Sequence, residues 1–449
     1  MTDPAPLADL ESIFRAGLGR ADPVGMVRSL LRLRGERLEL GGGAPQIDLG
    51  AFDRILILGA GKASARMALA VEEMLGDRVS GGVVAVKRGQ AERVARCVVV
   101  EAGHPVPDAG SVRAATLVAE AARGADARTL VIGLYSGGGS AILCSPDGVS
   151  LEEKQATTRE LLASGATIHE LNCVRKHLSG IKGGRLARLL HPATSVNLIL
   201  SDVVGDDLGV IASGPTSPDE STYAQALEVL RNHGIEGRVP RAALEALEAG
   251  ARGHREESPK PGDPAFDRCH NVLIGTNRSS ALAAAERARE LGYRTLVLTT
   301  RLQGEAREVG RLFLALARDC SASGLPLQPP ACIITGGETT VTLRGSGKGG
   351  RNQELALAYL AGLESAEGDG RAYLLSASTD GGDGPTDAAG AFASWEVVEE
   401  ARGLGLDPRR FLAENDSYTF FDRVGRLLRT GPTHTNVCDL QILIVRPPT

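Results

Sequence analysis

Short apolar runs alternate with helical patterns along almost the whole chain. Strands separated by helices in this way predict parallel sheets with crossover helices. Several of the runs end in glycine, serine or an acid. Ligands of open parallel sheets bind where the strands end and loops meet helix N-termini, so we expect a site at these endings. The candidate strands are RILILGAG, GGVVAVK, CVVVEAG, TLVIGLYSGGG, VNLILSDVVGDD, NVLIGTN, TLVLTT, ACIITGGE, AYLLSASTDGG and LQILIV.

A polar segment with three prolines, GARGHREESPKPGDPAFDRCH (250–270), predicts a domain boundary. We expect an α/β fold: a larger Rossmann-like α/β/α N-terminal domain with a mostly parallel sheet over residues 1–255, and a smaller α/β domain over 256–449. The active site is expected in the cleft between the two domains. After the boundary, NVLIGTNRSSALAAAERARELGYRTLVLTT predicts one βαβ unit, with Ser279 or Ser280 as the helix cap and Gly292 ending the helix.

Composition limits the classes of partner. The net charge is −5 and aromatic residues make up only 3% of the 449 residues, which argues against a nucleic-acid partner. No apolar run approaches the roughly 18 residues of a membrane span. Seven cysteines without a Cys-x-x-Cys pair, and an N-terminus without targeting features, predict a cytoplasmic protein. Assembly into a homo-oligomer is left open.

The segment RILILGAGKASARMALAVEEML has the form of a phosphate-binding loop between a strand and a helix. It lacks the glycine that the nucleotide-triphosphate loop requires five residues before Gly61, where Leu56 stands. It also lacks the third glycine of the dinucleotide fingerprint, because Ser64 occupies that position. Lys62 is one of only seven lysines in the chain, and its compact ammonium next to glycine could meet an anion. The alternative is chance in a glycine-rich chain.

Three more stretches of the N-terminal part carry candidate chemistry. In LYSGGGSAIL, Gly137–Gly139 would let backbone N–H groups approach an anion, with Ser140 adding a hydroxyl; a tight turn without a ligand is the alternative. In ELNCVRKHLSGIKGGRLARLL, Arg175 and Lys182 fall on one helical face, which could equally be a solvated basic face. In VNLILSDVVGDD, Asp202 and Asp206 follow a strand, where phosphoryl-transfer enzymes hold Mg²⁺ or take a proton, although such residues also form plain turns.

The C-terminal part contains two comparable stretches. In GSGKGGRNQELALAYL a glycine-rich turn opens a helix, and Arg351 would offer bidentate contact to a carboxylate or phosphate. In STDGGDGPTDAAGA, Asp380, Asp383 and Asp387 could form a loose Mg²⁺ site or simple turns. Glycine loops, isolated cations and strand-end acids are together the parts that phosphoryl transfer requires.

These motifs, in this order, resemble the type-2 glycerate kinases, a two-domain family with a characteristic C-terminal module. The resemblance extends roughly from Phe14 to Val445 and includes LGAGKAS, GHPVPDAGS, SGGGSA, NCVRKHLSGIKGGRLA, SDVVGDDLGVIASGPTSPD, GGETTV, GKGGRNQELALA, STDGGDGPTDAAGA and TGPTHTNV. It implies phosphorylation of D-glycerate by ATP to give 2-phosphoglycerate, with Mg²⁺ or a similar divalent ion. The chain departs from the usual family pattern at Cys173 and His434, which flank motifs without replacing their charged residues.

The resemblance also implies residue roles. The essential lysine of the family falls on Lys62, its essential arginine on Arg351, and its motif aspartates on Asp202 and Asp206. The residues expected to bind nucleotide phosphates are Gly59, Gly61, Ser136, Gly137, Gly138, Gly139, Ser140, Lys182, Gly347, Lys348 and Gly349. Those expected to bind substrate are His104, Arg175 and Asn352, although His104 could equally belong to a turn anchored by two prolines. Those expected to bind metal are Asp206, Asp380 and Asp383.

Two other functions compete with the kinase. A strand followed by Gly-x-Gly also suggests an NAD(P)H-dependent hydroxypyruvate reductase, but the strand GGVVAVK has no acid at its end to hold a ribose. A non-catalytic nucleotide or sugar-phosphate sensor would keep the fold and lose turnover. The retained Lys62, Asp202, Asp206 and Arg351 argue against the sensor.

Overall fold

The computed structural model describes residues 5–41, 46–363 and 371–447. Within them the chain divides into two compact units. The first unit is Pro23–Ile274, and the second combines the described residues of Met1–Asp22 and Gly275–Thr449. No helix in the described ranges is both long and apolar enough to cross a lipid bilayer.

All ten candidate strands are strands in the structure. The strands are β1 (Leu31–Arg34), β2 (Arg37–Leu40), β3 (Ile47–Asp48), β4 (Arg54–Ala60), β5 (Val79–Lys87), β6 (Cys97–Ala102), β7 (Thr129–Tyr135), β8 (Thr194–Leu200), β9 (Cys269–Gly275), β10 (Arg294–Leu302), β11 (Ala331–Gly337), β12 (Ala372–Ser378), β13 (Gly390–Ser394), β14 (Leu427–Leu428) and β15 (Asp439–Val445). The helices are α1 (Ala5–Arg20), α2 (Pro23–Leu30), α3 (Ser64–Leu75), α4 (Ala109–Arg123), α5 (Gly139–Ile142), α6 (Leu151–Ala163), α7 (Ile168–His177), α8 (Arg185–Leu190), α9 (Tyr223–Asn232), α10 (Arg241–Ala251), α11 (Asn277–Glu290), α12 (Ala306–Ser323), α13 (Arg351–Leu363), α14 (Trp395–Gly403), α15 (Pro408–Ala413) and α16 (Ser417–Arg423).

The first unit is built on a six-stranded sheet with the order β6-β5-β4-β7-β8-β9. The pairs β6–β5, β5–β4, β4–β7 and β7–β8 are parallel, as the sequence predicts. Every residue of the central strand β7 is buried, which is typical of a parallel strand covered on both faces. The strands β4, β7 and β8 therefore end side by side, and the loops that follow them share one edge of the sheet. A small antiparallel meander of β1, β2 and β3 also belongs to this unit and was not expected.

Helix α4 shows how the sequence builds the layer over this sheet. Asp108 caps it by accepting from the Ser111 amide, while the Ser111 hydroxyl accepts from the Asp108 amide, which forms a capping box. Small alanines at helical spacing on its buried face, including Ala114, Ala115 and Ala122, let it lie close to the strands. The helices thus fix where the strand-end loops emerge.

The strands of the second unit are mostly antiparallel, whereas the sequence predicts parallel pairing. Its six-stranded sheet has the order β10-β11-β15-β12-β13-β14, and only β10 and β11 are parallel. The last strand, β15, lies between β11 and β12 and runs antiparallel to both. Strands β11, β12 and β15 are buried along their whole length, so their apolar runs carry no alternation that distinguishes parallel from antiparallel pairing.

The unit boundary also differs from the expected one at residues 255 and 256. Strand β9 lies beside β8 at the edge of the first sheet, so residues up to Ile274 belong to the first unit. The predicted βαβ unit is therefore wrong, because α11 connects two different sheets, and its cap is Thr276 instead of Ser279 or Ser280. Helix α1 joins the second unit because Leu10, Phe14 and their neighbours pack against the alanine face of α11.

Candidate functional site

The loops that follow β4 and β7 interlock at the carboxyl edge of the first sheet. The Lys62 amide donates to the Gly137 carbonyl at 2.9 Å, and the Ala63 amide donates to the Ser136 hydroxyl at 3.0 Å. Gly61 has a φ of +142°, and a Cβ there would collide with Ser136. Gly59 lies equally close to the backbone of β7. Gly59, Gly61 and the fully buried Ser136 are thus explained by loop packing, which leaves half-buried Lys62 as the chemical group of the first loop.

The triple-glycine loop lies between two predicted site residues. A methyl group added to Gly137 would lie 2.6 Å from Asp202 Cγ, and one added to Gly138 would lie 3.0 Å from His104 Cδ2. His104 follows β6 and Asp202 follows β8, so strand-end residues from both sides of β7 approach the same loop. The structure therefore brings together Lys62, His104, Gly137–Gly139 and Asp202.

Ser140 connects this loop to a strained turn. Its hydroxyl is 2.8 Å from the Ser213 hydroxyl, which donates to Asn172 Oδ1, also at 2.8 Å. Ala212 and Ser213 have φ values of +51° and +61°, a left-handed conformation that costs non-glycine residues free energy. Asp206 is left-handed as well, at +60°, and half-buried. Strain of this kind persists where the surroundings fix the backbone, and Ala212 packs against Gly139 of the glycine loop.

The two predicted cations of the first unit are largely removed from water. Lys182 is 1% exposed, and its ammonium donates to the Ala212 carbonyl at 3.4 Å. Burial, together with the nearby charges of Arg175 and Lys154, holds the pKa of Lys182 well below its usual value. Burial also lowers the pKa of Arg175. These two residues therefore do not form the solvated basic face that was the alternative interpretation.

A cleft of about 540 Å³ lies beside this region, between one face of α7 and the loop segments 207–210 and 217–221. Lys176 and Asp219 line it and form a buried ion pair, with Nζ and Oδ1 3.2 Å apart. Asn172 lines it too, so two hydrogen bonds separate this cleft from the glycine loop. Sequence reasoning missed Asp219, because a pair 43 residues apart leaves no local signal.

Arg351 lies at the start of α13 in the second unit. It forms a two-pronged pair with Asp439, at 2.6 and 2.8 Å, and its third nitrogen lies 2.8 Å from Glu338 Oε1. Asp439 is fully buried. Although burial acts to lower the pKa of Arg351, the hydrogen bond to Asp439 and the charges of Asp439, Glu338 and Asp383 raise it overall. The guanidinium is thus held firmly, and its side chain is 28% exposed.

Asp383 caps α13 and does not have the geometry of a metal ligand. Its two carboxylate oxygens accept from the Asn352 and Gln353 amides at 3.1 and 2.9 Å, and Gln353 Nε2 donates to it at 3.0 Å. Burial raises the pKa of Asp383 to about 6, with help from the charge of Asp439 and against these amide bonds. Asp380 Oδ1 accepts from the Gly382 amide in a local turn. No cluster of three metal-ligating side chains occurs among the described residues.

The other predicted residues of the second unit have structural neighbours. Methyl groups added at Gly347 and Gly349 would meet Asp416 and Ser417, and the Lys348 ammonium lies 4.2 Å from the centre of the Tyr418 ring. Asn352 is fully buried: Ser376 donates to its Oδ1 at 2.6 Å, and its Nδ2 donates to Asp383 at 3.3 Å. Its side chain therefore supports the helix start, whereas Lys348 is exposed and remains able to meet a ligand.

Two family models and several named proteins match this chain. Residues 9–248 match a family described as a domain of unknown function (DUF4147), and residues 331–439 match the MOFRL family. The chain is 43% identical to "D-glycerate 2-kinase" of Thermotoga maritima, over 89% of this chain and 92% of that protein. It is 42% identical to a protein of Agrobacterium vitis named "Putative hydroxypyruvate reductase", over 97% and 94% of the two chains.

A solved structure gives the same result. The crystal structure of glycerate kinase from Thermotoga maritima superposes with a TM-score of 0.84 at 39% identity, and covers 98% of this chain and 100% of that one. The fold and the glycine-loop site define a protein of the class that combines a DUF4147 and a MOFRL module. Within that class, the chain belongs to the glycerate kinase family.

Proposed function

We propose that this protein transfers the terminal phosphoryl group of ATP to the 2-hydroxyl of D-glycerate. The observation that carries the proposal is the convergence of Lys62, His104 and Asp202 on the Gly137–Gly139 loop at the carboxyl edge of the first sheet. Phosphoryl transfer requires mainly positioning and charge neutralisation, which such a group of residues supplies. The activity of the named relatives supports the same reaction.

Each of these residues has a proposed role. Backbone amides of the glycine loop bind phosphate oxygens, and Lys62 neutralises the charge of the phosphoryl group in transit. Asp202 orients the attacking hydroxyl or accepts its proton. Arg351, whose position Asp439 and Glu338 fix, binds a carboxylate or phosphate oxygen with its partly exposed guanidinium.

Magnesium fits the first unit better than the second. Mg²⁺ commonly takes one or two carboxylates and completes its coordination with water and substrate phosphates, so it does not need a cluster of protein ligands. Half-buried Asp202 beside the glycine loop, with Asp206 four residues later in the same loop, meets that requirement, whereas the oxygens of Asp383 already accept from a helix N-terminus. When bound, the ion would neutralise charge on the nucleotide phosphates.

The test is an assay with D-glycerate, ATP and Mg²⁺ in which ADP release and product identity are both followed. Enolase added without phosphoglycerate mutase converts only 2-phosphoglycerate. Enolase turnover in an amount equal to the ADP released therefore supports the proposal. A product that requires the mutase would show transfer to the 3-hydroxyl and refute it. ATP binding without ADP release from any hydroxy acid would instead support the sensor.

The reductase is tested in parallel with hydroxypyruvate and NADH or NADPH. The position of the third fingerprint glycine is filled by Ser64, which is fully buried and donates to the Leu134 carbonyl at 2.9 Å. Strand β5 also ends in Lys87, without an acid for a ribose. We therefore expect no oxidation of the nicotinamide cofactor. Oxidation that is independent of ATP would overturn the kinase assignment.

Lys62→Ala provides the residue-level test. We expect kcat to fall by about 10²-fold or more in folded protein, as for other charge-stabilising groups. Arg128→Ala is a matched control, because it removes the same charge at the opposite edge of the sheet, where Arg128 pairs with Asp53. Near-normal turnover of Lys62→Ala would refute the role of Lys62.

The compartment and partners follow from the same proposal. A reducing cytoplasm suits the seven cysteines, all of which are free thiols. The partners are then the two small substrates, glycerate and ATP, with no nucleic acid and no membrane. Fractionation of cells that express the protein would test the location.

A further inference from the structure

The cleft beside α7 is lined by buried donors whose hydrogens have no acceptor. Asn172, Lys176 and Ser217 line it, and each is more than nine-tenths buried. Among the described residues, the Lys176 ammonium meets one acceptor, Asp219 Oδ1, and Asn172 Nδ2 meets none. The Ser217 hydroxyl accepts from Asn271 Nδ2 at 3.4 Å and donates to no described atom. Buried donors are rarely left unpaired, so these groups indicate a ligand that accepts hydrogen bonds.

The charges of the lining argue against an anion in the cleft. One lysine and one histidine, Lys176 and His169, stand there with the three carboxylates of Asp207, Asp219 and Glu220. Asp219 already neutralises Lys176, whereas Asp207 and Glu220 are exposed. Exposed carboxylates repel a phosphate or carboxylate group and accept from hydroxyl groups. The lining therefore suits an uncharged molecule that has acceptors on one part and hydroxyl donors on another.

A purine nucleoside has this combination of groups. The ring nitrogens of a purine accept hydrogen bonds, and ribose hydroxyls commonly donate to an acidic side chain. Leu208, Val210 and Pro218 also line the cleft and offer apolar contact to the faces of a flat ring. The cleft volume of about 540 Å³ lies within the range of about 300–1,000 Å³ that is typical of small-molecule sites.

The cleft adjoins the glycine loop along two short stretches of chain. Val210 lines the cleft, and Ala212, two residues later, packs against Gly139, where an added methyl group would lie 2.7 Å from Ala212 Cβ. Because two residues span at most about 7 Å, this wall of the cleft lies close to the loop. Asp207 lines the cleft as well, and Asp202, five residues earlier, lies beside the glycine loop. A flexible triphosphate can therefore extend from one to the other.

We infer that the cleft binds the adenosine moiety of ATP, with the triphosphate extending to the glycine loop. This inference rests on the proposed function, which assigns the phosphates to that loop. Asn172, Lys176 and Ser217 donate to the purine ring nitrogens, and Asp207 and Glu220 accept from the ribose hydroxyls. Because the exposed carboxylates repel phosphate and the loop amides attract it, ATP has one favoured orientation.

Gly209 allows the cleft to be filled without removal of a polar side chain. Its backbone is outside the left-handed region, and a methyl group there would lie 3.5 Å from Lys176 Nζ, so a leucine extends towards the buried donors. We expect Gly209→Leu to raise KM for ATP by about ten-fold or more and to leave KM for D-glycerate within about two-fold. Gly237→Leu is the matched control, because no atom lies within 4 Å of a methyl group there. An unchanged KM for ATP in Gly209→Leu would overturn the inference.

Ser217→Ala tests one donor with little risk to the fold. Asn271 Nδ2 keeps its shorter hydrogen bond to the Thr216 carbonyl, at 2.9 Å, when the Ser217 hydroxyl is removed. We expect adenosine to bind about five-fold more weakly, as for the loss of one hydrogen bond, while the melting temperature is unchanged. A lower melting temperature with unchanged adenosine binding would show a structural residue and refute its role as a donor.

Two fragments of ATP distinguish the cleft from the glycine loop. Adenosine lacks the phosphates and tripolyphosphate lacks the nucleoside, and calorimetry measures the binding of each to the full-length protein. We expect Gly209→Leu to weaken adenosine binding about ten-fold or more and to leave tripolyphosphate binding unchanged, and Lys62→Ala to have the opposite effects. Failure of the wild type to bind adenosine, or equal adenosine binding by Gly209→Leu, refutes the nucleoside site.

The same measurements separate this inference from the proposed function, because neither fragment requires turnover. If the wild type binds adenosine, Gly209→Leu does not, and D-glycerate is not phosphorylated, the proposed function fails and the nucleoside site stands. If D-glycerate is phosphorylated while both proteins bind adenosine equally, the kinase stands and the nucleoside site is refuted.

Discussion

Replacing Gly137 with alanine should separate catalysis from stability in a predictable way. The new methyl group would overlap Asp202 Oδ2, its nearest neighbour, and would lie 2.6 Å from Cγ, whereas ordinary van der Waals contact begins at 3.4 Å. The Cγ atom must therefore move by at least about 0.8 Å, and Oδ2 by more. Because a misplacement of about 1 Å can cost about 10²-fold in rate, we expect kcat of Gly137→Ala to fall by roughly that factor, equivalent to about 2.7 kcal/mol.

The assay is the D-glycerate and ATP reaction at saturating substrate, with thermal unfolding of the same samples. Asp202 is only half-buried, so the melting temperature should stay within a few degrees of the wild-type value. Gly237→Ala is the control, because no atom lies within 4 Å of a methyl group there. A kcat within two-fold of wild type for Gly137→Ala would refute the role of Asp202, since the contact forces its carboxyl group to move.

Three further variants test the second unit. Arg351→Lys loses the two-pronged pair with buried Asp439, so kcat should fall about 10²-fold with a loss of stability, and wild-type values for both would contradict this. Asn352→Ala leaves the Ser376 hydroxyl without its acceptor, so urea unfolding should show a loss of about 1–3 kcal/mol while KM for D-glycerate is unchanged; a raised KM with full stability would restore Asn352 as a substrate ligand. For Asp383, burial raises the pKa to about 6 from an ordinary 3.8, so the native state binds the proton more tightly than the unfolded chain. Urea unfolding at each pH should therefore show that the contribution of Asp383 to the free energy of unfolding falls as pH rises from about 4 to 6. Asp383→Asn should lack this fall, and identical pH profiles for the two proteins would refute the shift.

The sequence predicts best those residues whose role follows from their position after a strand. Lys62, Gly137 and Asp202 follow apolar runs that become neighbouring parallel strands, so local pattern alone places them at one edge of the sheet. His104 was predicted on weaker grounds, and the structure places it beside Gly138. Five of the six strands of the first sheet were predictable for the same reason, because apolar runs that alternate with helical patterns indicate parallel strands; β9 was assigned to the second domain instead.

The residues that the sequence misjudges depend on partners distant in the chain. Asp383 was predicted to form either a metal site or a simple turn, but its oxygens accept from the helix start at Asn352 and Gln353, 31 and 30 residues earlier. In the same way, no local feature of LQILIV indicates that β15 enters the sheet between two earlier strands. Cap geometry and strand order are set by tertiary packing, which a single sequence does not display.

The division of the chain has a consequence for its synthesis on the ribosome. Helix α1 is made first, but the sheet against which it packs is incomplete until β15, the strand between β11 and β12, emerges near the end of the chain. The intervening Pro23–Ile274 contains all the strands of its own sheet except the last residue of β9, so it can fold while the remainder is being translated. A nascent protein would thus hold a finished glycine loop long before Arg351 has an Asp439 to pair with. Because the chain is made from its N-terminus, the ion pair that holds Arg351 forms last.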